Sequence, residues 1–235
     1  MKVEEFITAA RREYILVKVF SAKDASKSLL LQHRTLGKKL VLKVCADYVP
    51  AYDFLKTIQH QNLPDIHDSF LLEDGYIVLE EYIDGLSVQE VLQSGLYTYK
   101  GAKKVITDIC DALAVLHGAG IVHRDIKPEN VMVSSSGIVK LIDFDASRKI
   151  SSHQQKDTVA LGTLGYASPE QFGISQSDSR TDIYALGVML NVMLTGEHPS
   201  KKFAKGKAGK VVLKCTNIVP DLRYKSVIEV KKALW

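Results

Sequence analysis

The strongest constraint on this chain is a run of mostly polar residues, from His123 to Asn130, followed thirteen positions later by Asp143. Between them, the apolar segments 130–133 and 138–142 flank a turn of three serines and a glycine. This pattern predicts two antiparallel strands joined by a short turn. Because Asn130 and Asp143 lie at the open ends of the two strands, the hairpin is expected to bring them together.

The side chains of this region are the kinds that phosphoryl transfer requires. Asp125 can accept a proton from a hydroxyl group, and Lys127 follows two positions later. Asn130 and Asp143 supply oxygen atoms, which suit Mg²⁺ because this ion prefers oxygen ligands and keeps part of its water shell. Each residue alone is typical of a turn or a helix cap, but the set at this spacing favours a site for phosphoryl transfer.

At these residues the chain resembles the eukaryotic-type Ser/Thr protein kinases, including those of bacteria, and the resemblance runs from about residue 14 to residue 234. The resemblance implies an α+β, bilobal protein-kinase-like fold with an antiparallel β-rich N-lobe and an α-helical C-lobe. We expect a single kinase domain over residues 1–235, with the N-lobe at 1–82 and the C-lobe at 83–235.

Hydrophobic patterns agree with this division. Strands are predicted in the first part at 14–19, 28–32, 39–44, 66–72 and 76–80, with a short helix at 52–59. Helices are predicted in the second part at 88–93, 101–117, 182–194, 210–215 and 226–234.

The resemblance implies an enzyme that uses ATP to phosphorylate serine or threonine hydroxyls of a protein substrate. Asp125 would be the catalytic base, and Lys127 would steady the transferring phosphoryl group. Asn130, also counted with the catalytic residues, would hold Mg²⁺ or Mn²⁺ together with Asp143.

Residues of the first part would bind ATP. Lys43, on the third predicted strand, resembles the lysine that contacts the α- and β-phosphates. Glu81 and Ile83 lie in a segment that resembles the hinge between the lobes, and we expect them to contact the nucleotide.

Several positions depart from the family pattern. Ser21, Lys23 and Ser26 stand where the phosphate loop normally has glycines, which let backbone amides approach the phosphates. We therefore expect a looser fit, although Lys23 could add a positive charge. Asp145 replaces the usual glycine of the metal-binding triplet, which here reads Asp143-Phe144-Asp145, and Glu80 places a charge at the gatekeeper position.

The helix that normally offers a glutamate to Lys43 is also altered. An ungapped alignment puts Ala51 at the glutamate position, and a methyl group cannot accept a hydrogen bond. Asp47 or Asp53 could substitute, or Lys43 could pair with Asp143 alone.

Three residues would support the C-lobe, with Glu170 paired to Arg223 and Asp182 bracing the catalytic loop. Arg124 is expected to bind a phosphate added to the activation segment, for which Thr158 is the favoured acceptor among Ser147, Ser151, Ser152, Thr158 and Thr163. Thr163 is instead expected to contact the catalytic loop.

Two classes of function are open at this point. The first is an active Ser/Thr protein kinase, and the second is a pseudokinase that serves as a nucleotide-binding or allosteric scaffold. A small-molecule kinase is disfavoured because Lys127 and the segment 162–170 follow the protein-kinase pattern.

Composition bears on location and partners. The three cysteines lack metal-ligand spacing, which suggests reduced thiols in a cytoplasmic protein. No segment approaches the ~18 apolar residues of a membrane span, so we expect no membrane association within this chain. The net charge of +4 is modest, and no nucleic-acid partner is expected.

Overall fold

A computed structural model describes residues 1–23, 26–150, 163, 165–172 and 177–235 of the chain. The chain divides into two compact units, Met1–Asp84 and Gly85–Trp235. The first unit is dominated by an antiparallel sheet and the second by helices. The predicted α+β class, with a β-rich part followed by an α-rich part, is therefore confirmed.

The described part of the first unit has two helices and five strands. In chain order they are α1 (Val3–Ala10), β1 (Tyr14–Lys23), β2 (Ser26–His33), β3 (Lys39–Cys45), α2 (Pro50–Leu55), β4 (Ile66–Leu72) and β5 (Gly75–Glu81). The five strands form one sheet in the order β1-β2-β3-β5-β4, and each neighbouring pair is antiparallel.

The core of the first unit lies between the sheet and α1. Val3 and Ile7 of the helix pack with buried side chains of β2, β3 and β5, among them Leu42 and Ile77. These contacts explain why an eight-residue helix is stable here, since isolated helices of this length are marginal in water. The sequence patterns did not predict α1.

The second unit begins with β6 (Gly85–Ser87), α3 (Val88–Ser94), α4 (Tyr99–Gly118), β7 (Ile121–Val122), β8 (Val131–Ser134), β9 (Val139–Leu141) and β10 (Arg148–Lys149). It continues with α5 (Ser179–Thr195), α6 (Gly206–Cys215) and α7 (Val227–Ala233). Strands β6, β8 and β9 form a small antiparallel sheet, and β7 pairs with β10.

Helices α4 and α5 form the centre of the second unit. Helix α4 buries an apolar stripe that includes Ile109, Leu113 and Leu116, and α5 is buried over most of its length. Helix α5 starts at Ser179 because Asp178 accepts a hydrogen bond from Arg180 N as the N-cap. Among the residues with described structure, we find no helix with both the length and the apolar character that a membrane span needs.

Candidate functional site

Asp125 is the centre of a compact polar cluster in the loop between β7 and β8. Its Oδ2 accepts hydrogen bonds from Lys127 Nζ at 2.7 Å and from Asn130 Nδ2 at 2.9 Å. Its Oδ1 accepts one from Thr163 Oγ1 at 2.8 Å, and Lys127 Nζ donates to the same hydroxyl at 2.7 Å. The structure thus brings together four residues that the sequence assigned to one site.

The loop that carries Asp125 is held by the buried carboxylate of Asp182 on α5. Asp182 Oδ2 accepts hydrogen bonds from His123 N at 3.0 Å and His117 Nε2 at 2.8 Å, and its Oδ1 accepts one from Arg124 N at 2.8 Å. Burial favours the protonated acid, but these donors outweigh it and lower the pKa of Asp182. Asp182 is therefore held as a carboxylate that fixes the backbone of the loop.

Arg124 adopts a left-handed backbone conformation, with φ of 69°. For a side chain other than glycine this conformation costs about 1–3 kcal/mol unless the surroundings hold it. Asp182 accepts from the Arg124 N–H, and Gln171 Nε2 donates to the Arg124 carbonyl at 2.8 Å. The two contacts fix both backbone polar groups of Arg124, so the surroundings hold the strained turn before Asp125 in place.

His123 supports the same loop from the interior as a neutral ring. Its Nδ1 accepts a hydrogen bond from Asp125 N at 3.3 Å, so Nε2 carries the proton and donates to the Ile142 carbonyl at 3.1 Å. Burial lowers the pKa of His123, although the nearby carboxylates of Asp182, Asp143 and Asp125 partly oppose this. The ring also lies edge-on to Phe144, with centroids 5.0 Å apart.

The β8–β9 hairpin places Asn130 and Asp143 at its open end. The strands pair from Val131 with Leu141, and Ile142 N donates to the Asn130 carbonyl at 2.9 Å. Asp143 follows immediately, with a left-handed φ of 68°. The predicted hairpin is confirmed, with strands that span Val131–Ser134 and Val139–Leu141.

The side chains of Asn130 and Asp143 fit a hard divalent cation. Asn130 Nδ2 donates to both Asp125 O at 2.8 Å and Asp125 Oδ2, so Oδ1 is the atom of this amide that could bind a metal ion. Among the described residues there is no group of three or more His, Cys, Asp or Glu side chains suited to a metal. A donor set of one amide and one carboxylate suits an ion that takes further ligands from phosphate and water.

Glu170 and Arg223 form a buried ion pair in the second unit. Arg223 Nη1 lies 2.6 Å from Glu170 Oε1, and Nη2 lies 2.9 Å from Oε2. Burial raises the pKa of Glu170, but the hydrogen bonds and charge of Arg223 outweigh it, so the net pKa is lowered. Arg223 also donates to the carbonyls of Arg180 and Asn217, which ties the segment after 168 to α5 and to the chain after α6.

In the first unit, Lys43 lies on β3 with its side chain buried. Its Nζ donates a hydrogen bond to the Tyr52 hydroxyl at 2.9 Å. Asp53, considered above as a substitute for the missing glutamate, accepts instead from the hydroxyls of Tyr48 at 2.5 Å and Tyr76 at 3.0 Å. Ala51 is buried beside them in α2.

The remaining nucleotide-site candidates lie on the sheet or just after it. Ser21 pairs with Ser28, and Lys23 pairs with Ser26, so the proposed phosphate loop is the end of the β1–β2 hairpin. Glu81 Oε2 accepts a hydrogen bond from Asp65 N at 3.0 Å. Ile83 and Glu80 are both buried.

Some predictions lie outside the described residues. These are the acceptors Ser151, Ser152 and Thr158, together with Gly162 and the side chain of Lys23. The sequence patterns did not indicate Tyr52, which bonds to Lys43, or Gln171, which bonds to Arg124. Their partners are specified by tertiary packing, and no local motif points to them.

Comparison with known proteins gives a consistent match. Residues 16–233 match the family model described as a protein kinase domain. The chain is 44% identical over 128 residues to the serine/threonine-protein kinase PknB of Mycobacterium tuberculosis, which covers 53% of this chain and 20% of that protein. It is 36% identical over 144 residues to the probable serine/threonine-protein kinase PknB of Lactococcus lactis, which covers 60% and 23%. The chain thus spans about a fifth of the length of these curated relatives.

Proposed function

This chain belongs to the protein kinase domain family, and from that premise we propose that it transfers the γ-phosphate of ATP to serine or threonine hydroxyls of a protein substrate. The observation that carries the proposal is the cluster around Asp125. Its carboxylate already accepts a hydrogen bond from a hydroxyl group, that of Thr163, beside the ammonium of Lys127. This is the contact that a general base needs with its substrate.

In the proposed reaction, Asp125 accepts the proton of the substrate hydroxyl as the oxygen attacks the γ-phosphorus, and the bond from this phosphorus to the β,γ-bridging oxygen breaks to release ADP. Lys127 and Asn130 both donate to Asp125 Oδ2, so they orient the carboxylate. Oδ1 accepts from Thr163, and its second lone pair would accept from the substrate hydroxyl. The ammonium of Lys127 would also offset the negative charge of the transferring phosphoryl group. Positioning of these groups supplies most of the catalysis in this kind of reaction.

Asn130 and Asp143 would hold Mg²⁺, or Mn²⁺ in its place. The bound ion would neutralise charge on the phosphates of ATP. The double hydrogen bond from Asn130 Nδ2 to Asp125 fixes the amide, so its carbonyl oxygen has a defined direction.

Nucleotide binding would involve Lys43 at the α- and β-phosphates and Glu81 and Ile83 at the hinge. Ser21, Lys23 and Ser26 would cover the phosphates from the end of the β1–β2 hairpin. Because these three positions lack the backbone freedom of glycine, we expect a raised KM for ATP with little change in the chemical step.

Other residues of the second unit are assigned structural or regulatory roles. Glu170, Asp182 and Arg223 are structural supports, as their buried contacts suggest. Arg124 and Thr158 would take part in regulation by phosphorylation, and Thr163 would contact the catalytic loop. A single domain with lobes at 1–82 and 83–235 and a cytoplasmic location stay predictions. The second is supported by the three cysteines, which are buried and form no disulfide.

The test is transfer of radiolabelled phosphate from ATP, with Mg²⁺ or Mn²⁺, to the protein itself and to a generic basic protein. Asp125→Asn and Asp143→Asn should each abolish incorporation, and Asp108→Asn, at a surface ion pair with Lys104, should not. If wild-type protein binds nucleotide but shows no incorporation at millimolar ATP, the kinase assignment fails and the pseudokinase scaffold takes its place.

A further inference from the structure

The most informative contact of the first unit is the buried hydrogen bond between Lys43 and Tyr52. Lys43 Nζ lies 2.9 Å from the Tyr52 hydroxyl and 5.6 Å from the centroid of its ring. The Lys43 residue is 7% exposed and Tyr52 is 0% exposed. Neither side chain has room to adopt a different arrangement without disturbing the surrounding core.

Tyr52 is itself held rigidly. It lies in α2, which begins at Pro50, and its ring packs against that of Tyr76 with centroids 6.4 Å apart. The Tyr76 hydroxyl donates to Asp53 on the same helix. These contacts fix the position of the Tyr52 hydroxyl relative to β3.

We propose that Tyr52 is a positioning residue for nucleotide binding, whose hydroxyl holds the Lys43 ammonium in the orientation that contacts phosphate. This inference rests on the proposed function, because that proposal assigns Lys43 to the phosphates of ATP. The Tyr52 hydroxyl accepts a hydrogen bond from Lys43, as the glutamate of the family pattern would. The methyl group of Ala51, which stands at the glutamate position, cannot accept one.

The chemistry of lysine makes such a partner useful. An ammonium group has three hydrogen-bond donors on a flexible four-carbon chain, so the hydrogen bond to Tyr52 uses only one of them and does not prevent a contact with phosphate oxygens. A side chain that is already ordered loses less conformational entropy when the ligand binds. Loss of the Tyr52 hydroxyl would remove a contact that orders the Lys43 side chain before the nucleotide binds.

The experiment measures the affinity of a fluorescent ATP analogue, with Mg²⁺, for Tyr52→Phe, Lys43→Met and the double variant. Tyr52→Phe should weaken binding about tenfold, which corresponds to ~1.4 kcal/mol and is the size of one hydrogen bond. In the Lys43→Met background the same change should weaken binding by less than about twofold, because the two residues act together.

The matched control is Tyr99→Phe, which likewise removes a hydrogen-bonded tyrosine hydroxyl, the one that donates to the Leu234 carbonyl at 3.0 Å in the second unit. It should leave the affinity within about twofold of wild type, the scatter expected for independent sites. In steady-state transfer assays, Tyr52→Phe should raise KM for ATP more than it lowers kcat.

Three results would each overturn the proposal. Tyr52→Phe could bind nucleotide like wild type, the double variant could lose affinity by the product of the two single losses, or wild type could bind no nucleotide. A wild type that binds nucleotide without transferring phosphate would defeat the kinase assignment alone, since the affinity series does not depend on transfer.

A second measurement needs no change at Tyr52. In protein carrying ¹⁵N-labelled lysine, the Lys43 ammonium signal is assigned by its loss in Lys43→Met. The ammonium protons of Lys43 should exchange slowly with water and give a signal distinct from those of the other lysines. A Lys43 ammonium signal with the chemical shift and rapid exchange of exposed lysines would overturn the proposal even if Tyr52→Phe failed to fold.

Discussion

Thr163 and Asp125 are joined by a hydrogen bond of 2.8 Å across 38 positions of sequence. The Thr163 oxygen also accepts from Lys127 Nζ, so the hydroxyl links the two charged groups that already contact each other directly. A residue far along the chain therefore contacts the proposed catalytic loop directly and bonds to Oδ1 of Asp125, while Lys127 bonds to Oδ2.

Replacement of Thr163 by valine should lower kcat for phosphate transfer about tenfold to a hundredfold, within the range for loss of positioning at a catalytic base. Valine keeps the branched shape but removes the hydroxyl. Thr163→Ser keeps the hydroxyl and should retain most of the activity. Steady-state kinetics at saturating ATP would measure both, and a Thr163→Val enzyme with wild-type kcat would refute the assignment.

Glu170 and Arg223 should matter for stability more than any surface pair. Glu170→Gln leaves the guanidinium of Arg223 buried without a carboxylate, and we expect a loss of about 3 kcal/mol in the free energy of unfolding. Urea unfolding followed by circular dichroism would measure it. Lys104→Met, which breaks an exposed pair with Asp108, should cost no more than ~0.5 kcal/mol. If both variants lost the same free energy of unfolding, the buried pair would stabilise the fold no more than the exposed pair does.

Much of the second unit could be predicted because its signals are local. The hairpin that carries Asn130 and Asp143 follows from two short apolar runs and a turn, and α4 follows from its apolar stripe. The ends of elements were less accurate. Helix α2 spans Pro50–Leu55, whereas a helix over 52–59 was predicted. The observed helix begins earlier because the fixed φ of Pro50 suits the first turn of a helix.

Features that depend on tertiary packing could not be predicted. Helix α1 is short, and its stability comes from burial of Val3 and Ile7 against the sheet. One partner of Lys43 is the hydroxyl of Tyr52, and sequence alone does not distinguish this residue from any other core tyrosine. Gln171 acts on Arg124 from 47 positions away, and only the folded chain brings them together.

The cysteines of the second unit should be inert in the native protein. Cys110 and Cys215 are buried in α4 and α6, and burial raises the pKa of both thiols, that of Cys215 to about 12. Because the thiolate is the reactive form, a disulfide reagent at pH 8 should label neither within an hour, and both after denaturation in guanidinium. Ser94→Cys, at an exposed position, should add one fast-reacting thiol. Rapid native labelling of Cys110 or Cys215, located by peptide mapping, would contradict the packing described.

His123 should make the stability of the protein depend on pH below about 6.5, its ordinary pKa. Burial lowers the pKa of His123 in the folded state, so between the two values only the unfolded chain binds the proton. The contribution of neutral His123 to the free energy of unfolding is therefore fully present above pH 6.5, and it is lost as the pH falls toward the pKa of His123 in the folded state. The expected slope is up to about 1.4 kcal/mol per pH unit for one proton.

His123→Gln tests this pH dependence, because glutamine offers an amide donor toward the Ile142 carbonyl and does not titrate. Its free energy of unfolding should be lower at pH 7, but should fall less steeply than that of wild type between pH 6.5 and 5. The window stays above the range in which Asp182 and Glu170, whose pKa values are lowered, would add their own acid dependence. His67→Gln, at an exposed histidine, controls for the substitution itself. A His123→Gln slope equal to that of wild type would mean that His123 takes up its proton equally in the folded and unfolded states.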